Sequence, residues 1–380
     1  MSLVHYTVVN FLSAIFIPIL TLSSFAFGEV QMSINKQIEY IVMAHVIEDG
    51  FQGNILVTRG KYPVFEKSYG FASIEHQVTH TAESKFMIAS LSKQFTSAAI
   101  LLLVQRGKLH LDDPISDFFD SSKYKGLPSY WNSITLRHLM THTAGLQKDL
   151  VSPRAPRGER NSLSTLVREI LNDSGNFFEG QKLGAHFSYS NMGYVLLAQV
   201  IEKVGGTTYD RFLRKQIFEP LGLLNTGEYH ELKVLPHMSD GYYQEGGGEF
   251  SHRCCEDATN LIGSHSLYST AQDLNLWTRS VYGDLRNQQS VFEQETLEEF
   301  RQTTVDATNI HGDLKPYLYG FGVMSDNFEG EPRYWHDGQT AGFLSALAYL
   351  PSIDATIVIL TNFHRRRQVL SDFYNWTMLD

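Results

Sequence analysis

The chain has 380 residues, with Lys+Arg 31 against Asp+Glu 41 for a formal charge of -10, 43% hydrophobic and 12% aromatic side chains, and two cysteines. That charge leaves no basic field to attract a nucleic acid or an anionic membrane surface. The apolar content excludes general disorder, two cysteines cannot staple a disulfide scaffold, and the length allows one large or two modest cores.

Val8 to Phe27 is an apolar run interrupted only by small or neutral polar residues and Pro18, and the first acidic or basic side chain is Glu29. Ser24-Phe25-Ala26 or Ala26-Phe27-Gly28 offers the small residues of a signal-peptidase site, so residues 1–28 read as an export signal placing the rest in a periplasmic or secreted compartment. An uncleaved anchor is the alternative. About 20 apolar residues also span a bilayer, and only His5 and the terminal amine supply positive charge ahead of the run.

Ile34 to Val46 has a helix-like pattern. Gly53 to Arg59 and Tyr62 to Tyr69 suit a β-hairpin. Met87 to Gln105 is apolar on nearly all faces, which predicts a central buried helix ended by Gly107. Leu136 to Met140 and Met192 to Lys203 are further helices, the second stopped by Gly205-Gly206. Between them, Gln147 to Arg160 carries Pro153, Pro156, Gly158 and the arginines 154, 157 and 160, and reads as a long exposed loop. In the last quarter, Tyr319 to Met324, Arg333 to His336, Phe343 to Leu350 and Ala355 to Thr361 read as a meander of antiparallel strands. A final helix is expected from about Arg365 to Leu379, with Arg365, Arg366 and Arg367 on its solvated face. Strands at both ends with helices between predict an α/β (α+β) fold, one sheet built from the two chain ends and a mainly helical lobe inserted between them.

Metal chemistry has little to build on. Cys254 and Cys255 are adjacent, which strains a disulfide between them, and neither His252 nor His265 gives them a ligand spacing. His138 and His142 stand four apart on a helix without a third ligand.

Ser-x-x-Lys on a helix lets the amine reach the hydroxyl, because positions three apart share a face. The chain has three such pairs: Ser33/Lys36, Ser90/Lys93 and Ser122/Lys125. Ser33 sits just past the leader and Ser122 in a polar stretch. Ser90 instead opens the central apolar helix, where burial disfavours an ammonium and favours a neutral amine base, and where a helix N-terminus offers an unpaired N–H to an oxyanion. Downstream, Tyr189-Ser190-Asn191 precedes a helix, unlike the second Tyr-x-Asn at Tyr130/Asn132, and His336-Asp337-Gly338 ends a strand.

Seven strings in this order carry a resemblance: Phe86 to Lys93, Leu111 to Ile115, Ile134 to Leu146, Tyr189-Ser190-Asn191, Pro220 to Leu223, Ser269 to Leu274 and His336-Asp337-Gly338. Over about Gly53 to Phe363 the sequence resembles the serine β-lactamase and penicillin-binding-protein superfamily, in its class C β-lactamase, D,D-carboxypeptidase and esterase branch. The resemblance implies a β-lactamase/transpeptidase-like fold, with a sheet lobe from about 29–85 plus 290–380 and a helical lobe from about 86–289. It implies Ser90 as nucleophile forming an acyl-enzyme, Lys93 and Tyr189 sharing its proton, and an oxyanion hole from the backbone N–H groups of Ser90 and Gln339. Asn191 would hold a substrate amide oxygen and help position Lys93. His336 would add a hydrogen bond or partial positive charge opposite Tyr189, and Gly338 would let the strand approach the substrate. No metal or organic cofactor is implied, and the partner expected is a small-molecule or peptide substrate, with no nucleic acid and with membrane contact only through an uncleaved anchor.

The family's class C β-lactamases carry Lys-Thr-Gly where this chain has His336-Asp337-Gly338. Asp337 would put negative charge where a hydroxyl is expected and repel a substrate carboxylate, unless the arginine loop folds over the cleft. An ester, an amide or an amino-terminal D-residue is therefore expected ahead of a β-lactam. The alternatives are a true β-lactamase and a penicillin-binding sensor without turnover.

Overall fold

In the computed structural model, which describes residues 36, 38, 39, 43, 50–120, 129–147, 162–172, 183–230, 233–244, 249–252, 261–283, 290–308, 316–328 and 330–365, the two ends of the chain meet in one antiparallel sheet. Its eight strands are β1 (Gly53–Arg59), β2 (Tyr62–Tyr69), β3 (Thr303–Asp306), β4 (Leu318–Gly320), β5 (Met324–Phe328), β6 (Glu331–Thr340), β7 (Phe343–Leu350) and β8 (Ala355–Thr361). They lie in the order β3-β4-β5-β6-β7-β8-β1-β2. β1 closes the gap between the chain ends by pairing with β8 from Gly53↔Thr361 to Arg59↔Ala355. The hairpin expected at residues 53–69 forms with the boundaries read from the sequence.

Strand alternation sorts the apolar side chains into two layers. Leu56, Phe343, Leu347, Val358 and Leu360 face the helices in the larger core. Ile55, Val57, Ala346, Ile357 and Ile359 face a second cluster that includes Ile38. The central helix α1 (Ser92–Gln105) is buried from Ser92 through Leu103, each fully buried Leu or Phe contributing about 1.5–3 kcal/mol. It packs against α3 (Asn191–Gly205), which in turn packs on the short α2 (Leu136–Met140), and against α4 (Ala271–Tyr282). Trp277 of α4 lies 4.3 Å from Phe95, centroid to centroid, and its indole N–H donates to Gln94 Oε1.

Three expectations change, at the start of the central helix, at Tyr319 to Met324 and at Arg365. The central helix does not begin at Met87: Phe86–Met87 pairs as a short strand with Ser269 and Tyr268, and Ala89–Leu91 is a 3-10 turn whose Ala89 has φ 46°. Ser90 therefore sits in a tight turn ahead of α1. The run Tyr319 to Met324 is a turn between two strands, because Gly322 adopts φ 78° with the Lys93 backbone against it, where a Cβ would meet the Lys93 carbonyl carbon at 2.8 Å. Within the mainly helical lobe lies a small sheet, with Leu267–Ser269 between Phe86–Met87 and Gly227–Glu228.

Arg365, expected to start a helix, ends the strand Phe363–Arg365, which runs parallel to Tyr242–Gln244. The rest of that helix, the leader, the arginine loop beyond Gln147 and both cysteines lie outside the described residues. No described helix is long and apolar enough to cross a membrane.

Candidate active site

The turn carrying Ser90 is held from two sides. Ile88 N–H donates to Leu267 O at 3.0 Å and Leu267 N–H to Ser92 Oγ at 3.2 Å, tying it to the inner strand of the small sheet. From the large sheet, Ser345 Oγ donates to Ile88 O at 2.8 Å. Gly338, opposite Ser345 in the β6–β7 register, lies so close that a Cβ on it would meet Ile88 O at 2.5 Å and Ser90 N at 2.9 Å. Glycine is required there for a backbone approach rather than for a special φ. From His336 onward, β6 has no register partner on β5, whose pairing ends at Met324↔Trp335, so this edge of the strand stands beside the Ser90 turn.

Three side chains converge on Ser90 Oγ. Lys93 Nζ donates to it at 3.1 Å, one helical turn along, and the Tyr189 hydroxyl donates to it at 2.9 Å. The third contact is His265 Nε2, at 3.1 Å. Lys93 is wholly buried, its Nζ 4.8 Å from the Tyr189 ring centroid and 5.5 Å from that of Tyr194, an arrangement that stabilises an ammonium by cation–π attraction. It also donates to the backbone carbonyl of Ser264 at 3.4 Å. Asn191 opens α3 directly behind Tyr189, and its Oδ1 accepts from Ser264 Oγ at 2.8 Å.

Of the residues selected from the sequence, Ser90, Lys93 and Tyr189 meet at one oxygen, Asn191 joins them through Ser264, and Gly338 packs on the Ser90 backbone. His336 is differently placed. It is 1% exposed, and burial first, then the nearby Lys93 charge, pushes it down to about 3, so the partial positive charge expected of it is absent. Its nitrogens are engaged: Nδ1 faces Asp337 O at 2.5 Å and Nε2 faces the Tyr319 hydroxyl at 3.3 Å. The Tyr319 hydroxyl in turn lies 3.1 Å from His142 Nε2, and His142 Nδ1 accepts from Ser190 N–H at 3.0 Å. A backbone donor on Nδ1 puts the His142 proton on Nε2, so His142 donates to Tyr319, Tyr319 to His336, and His336 to the Asp337 carbonyl. Burial, with Lys93 and His336 nearby, holds His142 well below the usual histidine range. Two neutral imidazoles and a tyrosine thus form the wall behind Tyr189, whose ring is 4.3 Å from that of His142.

Asp337 also lies elsewhere than expected. Alternation along β6 puts His336 and Gly338 on the face shared with Ser345 and Leu347, and Asp337 opposite, in register with Ala346 of the second core. Its carboxylate does not line the Ser90 face. Other strings prove structural. Thr135 caps α2 by accepting from His138 N–H while His138 Nδ1 accepts from Thr135 N–H, a reciprocal capping box that occupies His138. Asp273 accepts from Asn225 N–H and Thr226 Oγ1, fixing the start of α4 and with it the strand that holds the turn. Among the described residues, no group of three or more His, Cys, Asp or Glu side chains could hold a metal ion.

His142, Tyr319 and His265 escaped sequence reasoning. His142 was visible only as part of a structural string, and His265 only as a neighbour of the cysteines; its partner Ser90 is 175 positions away.

A serine hydroxyl with a buried lysine one turn on and a tyrosine hydroxyl at hydrogen-bond distance, on a turn pinned to an antiparallel sheet, defines the serine β-lactamase and penicillin-binding-protein superfamily. The Beta-lactamase family model matches residues 44–375, and the chain belongs to that family. Protein flp of Staphylococcus aureus strain N315 is 27% identical over 341 residues, which cover 89% of this chain and 64% of that protein, so the chain spans somewhat less than two thirds of that relative. Among solved structures, an octameric penicillin-binding protein homologue from Pyrococcus abyssi superposes with a TM-score of 0.72 at 24% identity, covering 85% of this chain and 72% of the other. The D-amino acid amidase from Ochrobactrum anthropi SV3, complexed with L-phenylalanine amide, superposes with a TM-score of 0.71 at 20% identity over 89% of this chain and 95% of the amidase. Those two likenesses are likenesses of fold.

Proposed function

We propose that the protein is an exported serine hydrolase that cleaves an uncharged ester or an amide through an acyl-Ser90 intermediate, in the manner of a D,D-peptidase or esterase. The observation that carries this reading is the convergence of Lys93 Nζ and the Tyr189 hydroxyl on Ser90 Oγ at 3.1 and 2.9 Å. The hydroxyl attacks the carbonyl carbon, Lys93 and Tyr189 give a proton to the leaving group and take one from water, and the backbone N–H groups of Ser90 and Gln339 receive the oxyanion where Gly338 meets the turn. Asn191 fixes Ser264 and, through it, the far wall of the site.

The neutral His336 favours uncharged substrates. A lysine at this place would meet a substrate carboxylate with a full charge, whereas His336 is buried and committed to Tyr319 and Asp337 O. Among the described residues, carboxylate recognition of the β-lactam or D-Ala-D-Ala kind therefore lacks a cation at this place. The amidase with the same fold makes amino-acid amides a natural class to try. Export rests on the apolar run Val8 to Phe27.

The test is a panel of short-chain p-nitrophenyl esters, D-phenylalanine amide, a D-Ala-D-Ala peptide and nitrocefin, run on the parent and on Ser90→Ala. Ester or amide turnover that disappears with Ser90, alongside slow or stoichiometric reaction with nitrocefin, is the expected pattern. Ester turnover unchanged in Ser90→Ala overturns the reading. Nitrocefin turned over faster than every ester would make the protein a β-lactamase.

A further inference from the structure

The hydrogen count at Ser90 Oγ leaves one proton for a partner that the Ser-x-x-Lys chemistry does not use. A serine hydroxyl has one hydrogen and two lone pairs. Lys93 Nζ and the Tyr189 hydroxyl both donate to Ser90 Oγ, which fills the lone pairs. The remaining contact, to His265 Nε2 at 3.1 Å, is then the one along which Ser90 donates.

The opposite side of the ring fixes the tautomer this requires. Ser264 Oγ donates its single hydrogen to Asn191 Oδ1 at 2.8 Å. Its 2.7 Å contact with His265 Nδ1 must therefore run from the ring to the hydroxyl. Nδ1 carries the proton, and Nε2 presents its lone pair to Ser90. The chain Ser90 Oγ–H, His265, Ser264 Oγ–H, Asn191 Oδ1 is a proton-ordered line, with a serine and an amide in the orienting place that a carboxylate holds in a Ser-His-Asp triad. His265 is 6% exposed and packed into the site, on the segment entering the strand that pins the nucleophile turn.

We propose that His265 is a catalytic base for acylation in this protein, a role that rests on Ser90 being the nucleophile. As the Ser90 Oγ–C bond forms and the carbonyl electron pair moves onto oxygen, the Ser90 proton passes to His265 Nε2. The intermediate collapses by breaking the bond to the leaving group, which takes a proton from the Tyr189–Lys93 pair. In the second half, water adds to the acyl carbon and returns a proton to that pair. The Oγ–C bond then breaks, and Ser90 Oγ recovers its proton from His265. Each proton borrowed is returned, and water supplies the one that leaves with the products.

The test is the rate at which a fluorophosphonate probe adds to Ser90, followed by intact mass, in the parent, His265→Ala, His265→Gln and Ser264→Ala. Glutamine can accept a hydrogen bond from Ser90 but cannot carry its proton, so it separates proton transfer from mere positioning. Loss of a general base slows acylation by about 10²-fold, and that loss is expected in both His265 variants, with free imidazole accelerating the alanine variant. Ser264→Ala keeps the ring but removes its orienting acceptor, and an intermediate loss of about tenfold is expected from a misoriented base. A glutamine variant at the parent rate, or an alanine variant that is not slowed or that imidazole does not accelerate, overturns the proposal. If neither His265 variant folds, Ser264→Ala at the parent rate overturns it. A parent that the probe does not label at all refutes Ser90 as the nucleophile instead, which keeps the two failures apart.

Discussion

Lowering the pH from 7 to 5 should destabilise the protein through histidines that the fold keeps neutral. Burial is the leading cause at each: His336 is pushed down to about 3 and His80 to about 4, where His80 Nε2 meets Asn362 Oδ1 and its ring stacks on Phe86. In the unfolded chain both return to about 6.5. Between the two values the unfolded state binds a proton that the folded state refuses, so stability rises with pH and is lost as pH falls below about 6.5. At pH 5 each ring costs about 2 kcal/mol relative to pH 7, or about 4 kcal/mol for the pair, with His142 acting in the same direction. That is a large part of the 5–15 kcal/mol typical of folded proteins, in order of magnitude. Urea unfolding at half-unit steps from pH 7.5 to 5 measures the effect. His80→Gln, distant from Ser90 in the hydrogen-bond network, should reduce the loss over that interval by about 2 kcal/mol, and His336→Gln by a similar amount. A variant whose stability falls with pH as steeply as the parent's would show that its histidine is protonated in the folded state, and the reasoning about the neutral wall would be wrong.

Three further outcomes follow from the packing. Gly338→Ala forces a methyl onto Ile88 O and Ser90 N, so probe acylation should fall by about 10²-fold while unfolding by urea shows a loss of about 1–3 kcal/mol; an unaffected acylation rate would mean that β6 does not position the nucleophile. Asp337→Asn should leave kcat/KM for a neutral ester within about twofold, since the side chain faces away from Ser90; a tenfold change in the steady-state assay would put its charge back in the cleft. Thr135→Ala removes the cap of α2 and should cost about 1 kcal/mol of stability, with ester turnover at the parent level.

What the sequence disclosed and what it hid have a common physical basis. The hairpin at residues 53–69, the helix at 136–140 and the strands at 343–350 and 355–361 are written in local periodicity and turn residues, and they formed where expected. The start of the central helix was misread because its decisive contact is remote: pairing of Phe86–Met87 with Tyr268 and Ser269 outweighs local helix preference and throws Ala89 into positive φ. Gly322 likewise breaks a strand-like run because the Lys93 backbone fills the space a side chain would need. In the site, Ser90, Lys93, Tyr189 and Asn191 were legible as short motifs. The charge state of His336 was not, since it is set by Tyr319, by burial and by Lys93. Nor was the side taken by Asp337, which alternation decides only once the register of β6 against β7 is known. His265 stood out only as a neighbour of the two cysteines, with no local spacing that ties it to Ser90, 175 positions away.

The central claim is that Ser90 is the nucleophile, and intact-mass analysis after incubation with a fluorophosphonate, followed by peptide mapping, tests it most directly. One adduct per chain, located on the peptide containing Ser90 and absent from Ser90→Ala, is the result expected from the convergence of Lys93, Tyr189 and His265 on its hydroxyl. An unlabelled parent, or an adduct that persists in Ser90→Ala, would contradict it.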